Sequence, residues 1–173
     1  MKFALPLAAC LVIALHIEPV RGEVYQTPEN FLSESFSGTP PAPEIIWITG
    51  DLAQRVDTVL GHKSASLRLR YWARGARSAW ILNEVGKTEA ITAGILIEDQ
   101  KIAGLQILEF RESRGGEVRH AFFTSQFIGL GLREDDRLTS PVDGISGATL
   151  SVRAVSNMAK LALLLARHLA MAQ

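Results

Sequence analysis

The residues best placed to do chemistry are Asp143-Gly144-Ile145-Ser146-Gly147-Ala148-Thr149, set between a charged, glycine-containing loop and a long apolar segment. Two hydroxyls and a carboxylate are interleaved with Gly144 and Gly147, which permit tight or positive-φ backbone. The run reads as a loop-to-helix junction. Ser146 or Thr149 can cap the first turn. Backbone N–H groups then point outward at the positive end of the helix, where an anion is favoured. A plain capped helix start with no ligand has the same pattern, so residue types alone leave both readings standing.

The same residues resemble the Asp-x-x-Ser/Thr-Gly-Ala-Thr signature of the covalent FMN-binding domain family, found in the sodium-pumping NADH:quinone oxidoreductase and the Rnf electron-transport complex. The resemblance implies that Thr149 carries FMN through a phosphoester bond, with Asp143, Ser146, Gly147 and Ala148 completing the recognition sequence and Leu150 following them. It further implies maturation by a magnesium-dependent flavin transferase that draws on FAD outside the cytoplasm. Gly94–Ile97 and Ile102–Leu108 match the family's paired strands. Glu112-Ser113-Arg114-Gly115-Gly116 resembles its Glu-Thr-Pro-Gly loop, which borders the flavin; here Ser113 and Arg114 replace Thr and Pro. The likeness runs from Lys87 to His168.

The chemistry is consistent with that resemblance. A threonine hydroxyl is a poor nucleophile without a base, and no obvious base neighbours Thr149 in sequence, which suits an acceptor modified by another enzyme. The resulting phosphodiester keeps one negative charge near the helix start, worth about 0.3–1 kcal/mol in the dipole field. A tether also makes rebinding intramolecular, so the cofactor is not lost to a dilute compartment.

Other constellations are less specific. Arg68, Arg70, Arg74 and Arg77 surround Tyr71 and Trp72, with Arg55 and Lys63 ahead of them and Asp57 opposing. They read as the solvated face of an amphipathic strand, or as a surface for an acidic redox partner or the flavin's phosphate or ring edges. Trp72 and Trp80 could stack on a flavin or lie in the core. His62, His120 and His168 lack metal-ligand spacing. Glu134-Asp135-Asp136 lacks the ligand ladder of a calcium loop, and Gly129-Leu130-Gly131 is too short for a dinucleotide fingerprint.

The elements that must position the motif can be read from periodicity. Leu150 to Ala170 contains no Gly or Pro, and Arg153, Lys160 and Arg167 recur every seven residues, forming one polar stripe on an otherwise buried helix. Those cations disfavour a membrane span. Leu52, Val56, Val59 and Leu60 share one face of a helix from Gly50 to Leu60, with Thr49 or Asp51 at its start and Gly61 at its C′ position. Strands are predicted at 67–72, 78–83, 90–98 and 101–110, with tight turns at Arg74–Arg77 and Asp99-Gln100. The fold class is α+β: a single domain on an antiparallel sheet, one N-terminal helix, and a long C-terminal helix after the flavin-attachment loop. Residues 23–51 hold five acids and no base, with a Pro40-Pro41-Ala42-Pro43 run. Within them, 23–44 reads as an arm or linker; 45–86 is a helix plus strands packing on the FMN-binding domain at 87–173.

Of 173 residues, 18 are Lys or Arg and 18 Asp or Glu, and the single cysteine is Cys10. Lys2, an apolar core from Ala4 to Ile17 and Val20-Arg21-Gly22 read as a cleaved secretory signal over residues 1–22. Leu7-Ala8-Ala9-Cys10 resembles a lipobox. Only six residues precede it and the apolar core follows it, which disfavours lipid anchoring. Without its leader the chain has no cysteine. That excludes disulfides, thiol catalysis, Cys-ligated zinc, iron–sulfur clusters and thioether-linked haem, and near-neutral charge argues against nucleic-acid binding. The expectation is a periplasmic flavoprotein, an electron carrier rather than a stand-alone enzyme, exchanging electrons with a membrane or periplasmic redox protein. A flavin-dependent reductase of a small acceptor and a non-redox binding or sensory module are the alternatives.

Overall fold

Apolar runs between Arg77 and Phe110, broken by short polar turns, build a three-strand meander in the computed structural model, which describes residues 22–172. The leader and Cys10 lie outside the described residues. Strands β4 (Arg77–Val85), β5 (Ala90–Glu98) and β6 (Lys101–Phe110) are long and antiparallel. Asp99 and Gln100, with φ of 49° and 61°, form the tight turn between β5 and β6. Positive φ at both central residues matches the right-handed twist of the flanking strands.

Three shorter strands extend the sheet at its edges: β1 (Glu23–Val24), β2 (Glu44–Trp47) and β3 (Arg68–Arg74). The order is β1-β6-β5-β4-β3-β2, and each neighbouring pair is antiparallel. Strand β3 starts one residue later than predicted and runs two further, leaving Leu67 exposed. Strand β2 was not predicted, because four residues behind a proline run carry too little alternation to register as a strand.

One face of the sheet holds the main core. Trp80, Ile91, Ile95, Ile97 and Ile102 meet helix α2 (Gly50–Leu60) and helix α4 (Thr149–Met171), which supplies Val155, Met158, Leu164 and Leu165. Each fully buried aliphatic side chain contributes about 1.5–3 kcal/mol of transfer free energy. Gly61 closes α2 with φ 76°. Its last carbonyls are met from α4: Asn157 Nδ2 donates to Leu60 O at 2.8 Å, and Lys160 Nζ to Val59 O at 3.4 Å. Burial lowers the pKa of Lys160. Arg167 donates to the carbonyls of Leu132 and Arg133. The predicted polar stripe thus fastens α2 and the loop after residue 130 to the helix. By length and composition α4 could cross a membrane, yet 67% of its apolar window is buried in the protein.

The opposite face corrects the expected linker. Residues 23–44 are not a bare arm, because Pro28–Ser35 forms helix α1, with Thr27 Oγ1 accepting from Asn30 N at 3.2 Å. Phe31, Leu32 and Phe36 bury against Ala79 and Leu108 in a second cluster. Phe31 sits so low over β5 that a Cβ on Gly94 would lie 2.8 Å from its ring. The acidic composition describes the solvent side of α1; Phe31 and Leu32 describe its other side. There are therefore two helices ahead of the meander, not one.

Candidate functional site

The Asp143–Thr149 segment enters α4 without the side-chain cap that the sequence suggested. The N-cap is Ala148, with no capping hydrogen bond from Ser146 or Thr149. A turn stands in its place, closed by Ala148 N donating to Ile145 O at 3.0 Å, with Gly147 at φ 82°. Ala148 is buried and pins the turn, while Asp143, Ser146 and Thr149 are exposed and Leu150 is half-buried. At its start the segment is tied down by Asp143 N, which donates to Gln126 Oε1 at 2.7 Å. The uncapped first-turn N–H groups remain open to an anion.

The structure brings the Glu112–Gly116 loop against this junction. Gly115 has φ 86°, and a Cβ there would stand 2.5 Å from Ser151 Oγ and 3.4 Å from Ala148 Cβ. Only glycine allows this approach. Ser113 and Arg114 are exposed beside it.

Glu112, expected at the flavin, is also engaged within the chain. Its carboxylate accepts from the backbone N–H groups of Lys87, of Thr88 at 2.7 Å and of Glu89 at 3.0 Å, and from Thr88 Oγ1 at 3.2 Å. Burial pushes its pKa up, but the Glu89, Thr88 and Lys87 amides outweigh that and hold it below the ordinary value. Glu112 therefore staples the β4–β5 turn to the loop and has few lone pairs left for a ligand.

Beside the loop and the junction lies a cleft of about 570 Å³, whose lining includes Glu112, Arg114, Ser146 and Gly147 together with Tyr25 and Arg119. Thr149 stands beyond Gly147 and Ala148, at the helix start. Tyr25 follows β1, which pairs with the end of β6 through Glu23↔Phe110 and Val24↔Glu109. The Tyr25 phenol donates to Glu23 Oε2 at 2.8 Å and accepts from Arg119 Nη1 at 3.0 Å. Burial and the Glu23 bond raise its pKa. Neither Tyr25 nor Arg119 was singled out from sequence. They are far apart along the chain, and only sheet pairing joins them.

Residues 86–164 match the family model described as the FMN-binding domain. Over that stretch the chain is similar to this family. A comparison with curated proteins finds no match. The matched stretch covers β5, β6, the loop, the junction and most of α4, so the similarity takes in every residue singled out around Thr149. Glu23 and Tyr25 lie ahead of it.

The remaining candidates fall outside the cleft. Trp80 is fully buried, stacks on Tyr71 at 5.2 Å between centroids, and donates to Ser78 Oγ at 3.0 Å. Trp72 lies half-buried beside the α1 cluster. The arginines of β3 are three strand spacings from β6, about 14 Å, so they do not touch a ligand in the cleft. Arg77 binds Glu98 in a fork at 2.8 and 2.9 Å, and Arg74 donates to Thr39 O at 2.9 Å. His62 Nε2 lies 2.7 Å from Glu84. Asp136 pairs with Arg55 at 2.6 Å, and Gly129 N donates to Ile102 O at 2.8 Å, fastening that loop to β6.

Proposed function

We propose that this protein is an extracytoplasmic electron-transfer flavoprotein that carries FMN esterified through its phosphate to Thr149. The observation that carries the reading is the exposed Thr149 hydroxyl at an uncapped helix start, inside a stretch that matches the FMN-binding domain. The residues present fit the group. The open N–H groups of the first turn and Arg114 suit a phosphodiester, Gly147 and Gly115 keep the approach free of side chains, and the cleft beside them suits the ring.

Attachment conserves electrons. The Thr149 Oγ1–phosphorus bond forms, the pyrophosphate bridge of FAD breaks, AMP leaves, and the hydroxyl proton passes to a base of the flavin transferase. This chain has only to present the hydroxyl, which the exposed turn does. When bound, FMN supplies one- and two-electron redox chemistry. The chain's own work is to hold the phosphate at α4, exclude part of the solvent in the cleft, and keep Arg114 and Arg119 near any negative charge gained on reduction. Electrons then pass between membrane or periplasmic redox partners.

The test is exported protein produced alongside a flavin transferase. The denatured wild-type band should fluoresce and peptide mass should place FMN on Thr149, whereas Thr149→Ala should give a dark band. A dark wild-type band overturns covalent attachment.

A further inference from the structure

The cleft needs an aromatic surface for the flavin ring, and neither tryptophan near the meander supplies one. Its aromatic lining residues are Tyr25, Phe110 and His120. Phe110 is 6% exposed and belongs to the core. His120 packs on Phe122 at the exposed rim. Tyr25 is half-buried and held from three sides. Its phenol is fixed between Glu23 and Arg119, the Arg119 guanidinium lies 5.0 Å from its ring centroid, and its backbone N donates to Leu108 O at 2.9 Å. Leu108 is the extra residue of a bulge in β6 opposite Thr92 and Ala93. A strand of two residues with exposed side chains buries little of its own. Its ordering is nonetheless specific, and it sets one aromatic ring at the cleft.

We propose that Tyr25, braced by Arg119 and Glu23, is the wall against which the isoalloxazine of FMN packs, so that β1, which lies ahead of the family domain, completes the flavin site. The inference rests on the Thr149 reading and concerns the ring rather than the attachment. A ring already fixed by two hydrogen bonds loses little freedom when a second aromatic packs on it. The phosphoester holds the cofactor whether or not that wall stands. Removing Tyr25 therefore frees the ring without releasing the flavin.

Two readouts separate these effects. Fluorescence of the denatured band reports attachment, and iodide quenching of the folded protein reports exposure of the ring. Tyr25→Ala should keep a wild-type denatured band while iodide quenching rises at least threefold, toward that of free FMN. Tyr25→Phe retains the ring and its packing and should stay within twofold of wild type; Trp47→Ala, at the far edge, should match wild type. A bright denatured band with unchanged quenching in Tyr25→Ala overturns this inference alone. A dark wild-type band overturns the Thr149 reading and this one with it.

Discussion

The two ends of the sheet hold the two sequence features that most invite a binding role, and they are built in opposite ways. At the β1–β6 edge, polar groups are left free while the backbone is tightly fixed. Gly115 and Gly147 adopt left-handed conformations, Ala148 is buried, and Thr149 and Ser146 are exposed. At the β2–β3 edge the side chains are largely engaged with one another. Arg68 lies 5.9 Å over Trp47, Arg74 5.4 Å over Phe36, and the Tyr71 phenol donates to Glu44 at 2.8 Å. A site that must receive a group from outside keeps its reactive atoms unpaired and spends its constraints on backbone. An edge that must protect a sheet spends its charges on its own neighbours.

The largest test of this contrast is Thr149→Ala. The flavin should be lost entirely, while thermal stability changes by no more than about 0.5 kcal/mol, as for other exposed positions away from caps and cores. A matching loss of stability would mean that Thr149 serves the helix and not a ligand. Gly115→Ala should do the reverse. A Cβ at φ 86° and 2.5 Å from Ser151 Oγ should cost about 2–3 kcal/mol, measured by denaturant unfolding, and lower flavin loading by displacing the loop. Adding Ser151→Ala should recover part of the stability by relieving the closest contact, the backbone strain remaining.

How much was legible from sequence follows the same contrast. Strands β5 and β6 fell at the predicted bounds because two apolar runs of nine and ten residues are separated by the tight turn at Asp99-Gln100. Helices α2 and α4 were legible from their apolar faces, and Gly61 from the left-handed conformation a helix end favours. Helix α1 was missed because eight residues give barely two turns, and their acids and prolines outweighed Phe31 and Leu32. The motif drew attention to Thr149 but to neither Tyr25 nor Arg119, which line the neighbouring cleft. Tyr25 and Arg119 meet only through the pairing of β1 with β6, which involves two residues and leaves no periodicity to read. Glu112 was singled out as a flavin-binding residue; its bonds to the β4–β5 turn could not be read from sequence, since that turn lies more than twenty residues away.

Glu112→Gln probes the loop more gently. Replacing the carboxylate that collects the Lys87, Thr88 and Glu89 amides should cost about 1 kcal/mol near neutral pH, comparable to losing a helix cap. The cost should depend on pH with a definite sign. The folded-state pKa is held below that of an ordinary glutamate, so the stabilisation is fully present above the ordinary value. It is lost as pH falls through the lower, folded-state value. Unfolding curves of wild type and Glu112→Gln should therefore converge in acid and separate above about pH 5. Curves a constant distance apart at all pH values would show that the carboxylate charge is not what the turn uses.

The smallest expected effect is at the far edge. Among the described residues no carboxylate pairs with Arg68 or Arg70, whereas Arg55, Arg77, Arg111 and Arg119 each reach one. Exchanging both Arg68 and Arg70 for Ala should move stability by less than about 0.5 kcal/mol and leave flavin loading at the wild-type level, because β4 and β5 lie between β3 and the β6 side of the cleft. What they can alter is encounter. If this face steers an acidic redox partner, reduction by that partner should slow in the double variant at low salt, and the difference should fade as ionic strength rises. Unchanged rates at low salt would leave the two arginines as protection for an edge strand and confine exchange with partners to the flavin end. A fall in flavin loading would break the contrast itself, since it would tie an edge that engages its own side chains to the chemistry at the other.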